Sequence, residues 1–331
     1  MVGQTIGTSV SSPVALPPLE LARRVGHPDG NLDAFEELGR RARTEILEVL
    51  PEDWSFPGKR VLDFGCGSGR VLRDFLPEAQ VAEFLACDIH AESVAWVERT
   101  MSPPVQRVFR CEELPPLPLE SASLDLILAI SVFTHLADDW SAWLLELHRL
   151  LRPDGLLFAT FLGSGMSEGL IGETWQEDRV GMNVLRYGQS FDFGGPIVFH
   201  SPWWIREHWG RAFEIVTLRG SGFASRDNPR LGHGFVLLRK RPVNTTCEEI
   251  ELLRPDEPRE LAALRHNIRQ LHAESKLFRD YWESYSRGDP GPEVAHLRAL
   301  VSGYETSRSW RLTRPLRKVH ALLATRRRPR D

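Results

Sequence analysis

The sequence predicts a doubly wound α/β fold with a mostly parallel, seven-stranded sheet and an α-helical C-terminal extension. Three observations carry this. Short apolar runs of strand length alternate with helical stretches between residues 60 and 162, the rhythm of a parallel sheet with right-handed crossovers. A glycine-rich turn, Gly65–Gly69, directly follows the first of those runs. Beyond residue 243 the strand signal stops and an apolar spacing of three and four begins, the mark of a long amphipathic helix.

Taken in order, residues 1–30 are rich in Ser, Pro and Gly and read as a loose arm. A helix is expected from Asn31 to Leu50, with Leu32, Phe35, Leu38, Ile46, Leu47 and Leu50 near one face, ended by Pro51. RVLDF at 60–64 is the first strand, and a helix is expected from Arg70 to Leu76. EFLACD at 83–88 is the second strand, 91–101 a helix, and QRVFRC at 106–111 the third strand. LDLILAIS at 124–131 is apolar throughout, as a central parallel strand must be. A helix over 138–151, with Asp138 and Asp139 at its positive end, leads to a Pro153-Asp154-Gly155 turn and a fifth strand at 155–162. The stretch 163–200 is Gly-rich and aperiodic, and a loop of that length is usually functional. A helix near 202–210 and strands at 213–220 and 234–240 close the domain, which is bounded at 31–242.

Composition narrows the function classes. The chain of 331 residues carries a net charge of -4, with 42% hydrophobic and 26% charged residues, ordinary for a soluble globular protein. Its four cysteines form no CxxC pair and no Cys/His set with metal-ligand spacing, so reduced thiols and metal-independent chemistry are expected. No secretory signal and no apolar run of spanning length are read, which makes the cytoplasm the expected location.

The run VLDFGCGSGR at 61–70 carries the chemistry. Its glycines, Gly65, Gly67 and Gly69, depart from the G-x-G-x-x-G of dinucleotide enzymes, and Asp63 stands two residues before the first of them. Glycines allow backbone amides to come close to a ligand, and Asp63 offers negative charge. The run resembles motif I of class I S-adenosylmethionine-dependent methyltransferases. That resemblance extends over about 60–240, including RLLRPDGLLF at 149–158, and it implies S-adenosylmethionine as the cofactor. It puts the cofactor against Asp63, Gly65, Cys66, Gly67 and Gly69. Its ribose falls to Asp88, which ends the second strand 23 residues after Gly65, with Ile89 beside it. The plainer reading of Asp88 is a solvated strand-end carboxylate. The adenine contact is expected at Cys111 through its backbone and Glu112 through its side chain, although Arg110 stands where the family carries an acid. Ile130 and Ser131 end strand four beside the cofactor.

An acceptor hydroxyl loses its proton as it attacks a methyl group, so a general base is sought. His135, just beyond strand four, is the first candidate, and His200, ending the insertion, is the second. His135 could equally be a packing or capping histidine. His208 and His233 read as structural. Residues 163–200 offer Trp175, Tyr187, Phe191 and Phe193 with Asn183, Gln189 and Asp192, a mixture suited to a sugar or aromatic ring. They are read as a substrate lid, against the alternative of a surface loop packed on the sheet.

In the tail, 243–331, the residues Leu261, Leu264, Ile268, Leu271, Ser275, Phe278, Trp282 and Tyr285 form a heptad seam on a helix over about 255–285. Its expected partner is a second copy, another tail helix or the catalytic domain. Residues 308–331 hold nine Lys and Arg and one acid. They read either as a solvated terminus or as a segment that docks peripherally on anionic membrane or on glycan-assembly proteins. SRSWRLTRPLR at 307–317 resembles a C-terminal segment of bacterial glycosyltransferases and polysaccharide-assembly proteins. Three functions follow. The leading one is O-methylation of a sugar hydroxyl of a bacterial surface polysaccharide or its precursor. The others are methylation of a small secondary metabolite and a non-catalytic scaffold of the same fold. Nucleic acid is not expected as a partner, because the basic residues lie on the tail rather than around the cleft.

Overall fold

In the computed structural model, residues 14–25, 31–171, 174–191, 194–225, 228, 230–285 and 302 are described. Seven strands form one sheet in the order β3-β2-β1-β4-β5-β9-β8. They are β1 (Arg60–Phe64), β2 (Glu83–Asp88), β3 (Arg107–Arg110), β4 (Leu124–Ala129), β5 (Leu151–Phe161), β8 (Phe213–Phe223) and β9 (His233–Lys240). The first five pair in parallel, and β9 runs antiparallel to both β5 and β8. The doubly wound fold expected from the sequence is therefore present.

Alternation along each strand divides the core in two. Val61, Phe84, Ala86, Leu126 and Leu128 face one layer, with residues of α2 (Leu32–Val49) and α3 (Ala91–Met101). Leu62, Leu85, Ile127 and Ala129 face the other, with α4 (Trp140–Leu150) and α6 (Pro202–His208). Because both faces are covered, β4 is buried at every position.

Local structure departs from expectation in several places. The helix expected at Arg70–Leu76 is only a 3-10 turn, Leu72–Phe75. Pro77 lacks the N–H that a helix running past it would need. Pro153, Asp154 and Gly155 lie inside β5, where the register with β4 shifts and Asp154 takes a φ of 62°. The described part of the N-terminal arm includes a helix, α1 (Leu19–Arg24). The insertion is not aperiodic. It contains α5 (Ser164–Ile171) and an antiparallel hairpin of β6 (Met182–Leu185) and β7 (Ile197–His200). Phe193 and Asp192 lie outside the described residues.

In the tail, α7 (Cys247–Glu251) opens on a capping box formed by Thr246 and Glu249. Next, α8 (Pro258–Tyr285) packs on β6. The seam is corrected in its first half. Ala263, Asn267, Leu271 and Ser275 are buried, whereas Leu261 is 50% exposed. Phe278 packs beside Leu271, as expected. The reason is polar. Asn267 Oδ1 accepts from the Val184 amide at 3.0 Å and Glu274 Oε2 from the Arg186 amide at 3.0 Å. The helix thus covers the free backbone edge of β6, and Asn267 must face inward to do so. Near its start, His208 on α6 bonds Glu260 at 2.8 Å and the Ile250 carbonyl at 2.7 Å, all buried. The side chains of Trp282 and Tyr285, and the basic segment 308–331, lie outside the described residues. Among the described residues no helix is long and apolar enough to cross a membrane.

Candidate active site

Open α/β sheets bind ligands beyond the carboxyl ends of their strands, and the residues expected to meet the cofactor lie at or just beyond those ends of β1 to β4. Asp63, on β1, is 2% exposed. Burial raises its carboxyl to about 7, the Asp88 charge adds to the rise, and Arg70 opposes it. Asp88, ending β2, is held by two amides. Its Oδ2 accepts from Gly67 at 2.8 Å and its Oδ1 from His90 at 2.8 Å. A carboxylate has about four acceptor positions, so each oxygen keeps capacity for a ligand hydroxyl.

The turn works differently from expectation. The Gly65 and Cys66 amides donate to the Cys87 carbonyl at 2.8 and 3.0 Å, and the Gly67 amide goes to Asp88. These donors are occupied within the protein. What the glycines provide is room. Gly65 and Gly67 both have positive φ, 75° and 53°, and a Cβ on either would overlap Val132 or Val25. Gly69 has positive φ as well.

Val25 belongs to the N-terminal arm, so that arm is not loose here. Arg70 donates to the Val25 carbonyl, Ser68 to the Leu21 carbonyl at 3.3 Å and Arg73 to the Val14 carbonyl at 2.6 Å. Three side chains from the turn and just beyond it strap the arm across the cradle.

Beyond β3, the Cys111 amide donates to the Asp88 carbonyl at 3.0 Å, and Glu112 is exposed. Arg110 bonds the Ile89 carbonyl at 3.0 Å. Cys66, Cys87 and Cys111 are buried free thiols. Burial pushes Cys66 and Cys87 far above their usual range, so neither is a poised nucleophile.

Past β4, Ile130 is buried and Ser131 adopts a φ of 63°. Its amide donates to Thr160 Oγ1, on β5, at 2.7 Å. The loop then presents His135, whose Nδ1 lies 2.8 Å from the Pro196 carbonyl. A carbonyl only accepts, so Nδ1 carries the proton and Nε2 keeps its lone pair. Burial lowers the His135 imidazole below its usual range, partly offset by Pro196. The Val198 amide donates to the Thr134 carbonyl at 2.9 Å, which docks the β6–β7 hairpin on this loop. Tyr187 of the insertion bonds Asp138.

His200 is placed elsewhere and is withdrawn as a base. It is 0% exposed among Phe161, Trp204 and Trp209. Burial drives its imidazole down to about 3. A ring sealed by aromatics cannot reach a substrate proton. His208, read as structural, sits in the buried contact with Glu260 already described.

Two residues near the cleft, Thr160 and Arg70, escaped the sequence reading, and His233, read as structural, lies with them. Thr160 links Ser131 to His233, whose Nδ1 lies 3.4 Å from its hydroxyl. His233 is held down at about 3, first by burial, then by Arg70 and His135. Arg70 is 9% exposed beside Asp63. Only Arg70 had a legible signal, as the charge that ends the glycine run. Among the described residues no group of three or more His, Cys, Asp or Glu could hold a metal ion.

Residues 62–157 match the protein family described as a methyltransferase domain. The malonyl-[acyl-carrier protein] O-methyltransferase of Methylovorus sp. (strain MP688) is 30% identical over 189 residues, covering 52% of this chain and 60% of the relative. The mitochondrial arginine-hydroxylase NDUFAF5 of Danio rerio is 30% identical over 158 residues, covering 48% and 44%. This chain therefore spans about half the length of these curated relatives. Among solved structures, the 1,6-didemethyltoxoflavin-N1-methyltransferase of Burkholderia thailandensis has 20% identity and a TM-score of 0.44, covering 72% of this chain and 98% of that one.

Proposed function

We propose that this chain is an S-adenosylmethionine-dependent O-methyltransferase whose acceptor is a sugar hydroxyl of a bacterial surface polysaccharide or its precursor. The residues at the cleft suit the cofactor. Asp88 keeps acceptor capacity for ribose hydroxyls, and Asp63 offers buried negative charge for an ammonium group. When bound, S-adenosylmethionine supplies a methyl group activated by a sulfonium. Asp88 orients the ribose from a carboxylate that two amides already fix. His135 takes the proton that an acceptor hydroxyl gives up.

The observation that carries the hydroxyl reading is the Pro196 carbonyl on His135 Nδ1. It fixes the tautomer with a free Nε2, while burial keeps the ring uncharged at neutral pH. The expected effect of His135→Ala is a turnover loss of about 10²-fold or more, with cofactor affinity retained. The substrate test is mass spectrometry of surface glycan from a deletion strain. An unchanged methylation pattern would remove the sugar.

A second reading has one specific support, the name of the Methylovorus relative, which methylates an oxygen of an acyl-carrier-linked malonyl group. A carboxylate acceptor is already ionised and needs no base. On that reading His135→Ala leaves turnover of a free-carboxylate acceptor nearly unchanged, which separates the two. For segment 308–331 we retain peripheral docking on anionic membrane as the proposal. Co-sedimentation should then favour anionic over neutral vesicles and weaken with salt, and equal binding to both would reject it.

A further inference from the structure

The sequence places Arg70 immediately after the third glycine of the turn. Its side chain turns inward and is 9% exposed. One nitrogen donates to the Val25 carbonyl, and its buried Nε has no partner. A guanidinium has five N–H donors in a planar fork that matches a carboxylate. Among the described residues, no carboxylate lies within ion-pairing distance of Arg70. A buried cation without an anion is costly.

The guanidinium is placed by the Val25 carbonyl to which it donates, and the Val25 side chain lies against Gly67 of the turn. The guanidinium charge lowers the carboxyl of Asp63 on β1 and the imidazole of His233 at the start of β9. Both residues sit at the carboxyl edge of the sheet, above the glycine turn, and the Val25 carbonyl closes the arm's side. His233 is kept neutral there, so it brings no competing charge. With its carboxyl ionised, Asp63 gives the cleft one buried anion, and Arg70 one buried cation, beside the same turn. That is the charge complement of a zwitterionic α-amino acid.

We propose that Arg70 is a specificity-determining residue that holds the α-carboxylate of the amino-acid end of the cofactor, opposite the ammonium group that faces Asp63. This rests on the cofactor reading above. It explains why a charged side chain is buried directly after the turn. Charge-assisted hydrogen bonds of this kind are about twice as strong as neutral ones, so one or two of them give a preference of about tenfold or more.

The test uses calorimetry on the full chain with two ligands, S-adenosylmethionine and its decarboxylated analogue, which keeps the ammonium and lacks the carboxylate. The unaltered protein should bind the first about tenfold or more tightly than the second. Arg70→Met should abolish that preference, so that the two ligands bind within about twofold of each other. Arg70→Lys, which keeps the charge without the fork, should retain part of the preference, and it serves if the Met variant does not fold. The comparison between ligands cancels the loss of the Val25 bond, which weakens both alike. A preference that survives Arg70→Met overturns the assignment, as does equal binding of both ligands by the unaltered protein. Binding of neither ligand overturns the cofactor reading itself.

Discussion

Asp63 shows how burial gives a single residue a measurable signature. Its carboxyl sits at about 7 in the folded chain, against an ordinary 3.8. A raised folded value means the folded state holds the proton more tightly. The stability this contributes is full below the ordinary carboxyl range and is lost as pH rises through about 7. The melting temperature of the ligand-free protein should therefore fall between pH 5 and pH 8, and Asp63→Asn should flatten that slope. Cofactor binding should run the other way, because the ammonium group needs Asp63 ionised. Affinity should rise about tenfold between pH 6 and pH 8, with proton release seen by calorimetry in buffers of different ionisation enthalpy. A pH-independent affinity would remove Asp63 from the ammonium contact. Asp63 itself was legible in the sequence through its place before the glycines, but its shifted carboxyl was not. That shift comes from burial and from the Asp88 charge on the neighbouring strand, and it persists although Arg70 opposes it.

At the scale of elements, α8 is fastened by polar groups as much as by apolar ones. His208 meets two acceptors, Glu260 Oε1 at 2.8 Å and the Ile250 carbonyl at 2.7 Å. It joins α6 to both tail helices from a position 1% exposed. Removing one partner of such a buried pair typically costs about 3–5 kcal/mol, because the other is left stranded. Urea melts of His208→Ala should show a loss of that order, and a loss under about 1 kcal/mol would mean the contact behaves like a surface pair. Asn267→Leu keeps an apolar stripe yet strands the Val184 amide, so it should destabilise by about 1–3 kcal/mol. An unchanged melt would show that water satisfies that amide. The heptad spacing made the helix visible in the sequence. Its inward face was misread over the first turns because an apolar count ranks Leu261 above Asn267. The β6 edge reverses that ranking, since a bare amide in the interior is worse than an exposed leucine.

At the scale of the molecule, the tail completes the domain it follows. Cutting the chain at about residue 245 would uncover the Val184 and Arg186 amides and the apolar face around Val184, Tyr187 and Val198. An open strand edge is a template for pairing with another chain. Light scattering should therefore find the truncated chain more associated than the full chain, with a lower melting temperature. A seam that held two copies together would give the opposite result, a truncated chain less associated than the full one.

What the sequence determined by itself was local and periodic: seven strands, most of the helices, the glycine turn, and the acids Asp63 and Asp88. Strand and helix periods repeat every two or 3.6 residues, and turn chemistry is written in neighbouring residues. Only the tertiary structure decided the rest. It separated His135 from His200, which look alike in sequence, by giving one a carbonyl partner and a position on the post-β4 loop and sealing the other among aromatic rings. It also turned the arm into a strap and buried Arg70 against the Val25 carbonyl, 45 residues away in the chain. Each of these depends on burial and on partners far away in the chain, and burial is a property of the packed molecule that no window of sequence contains.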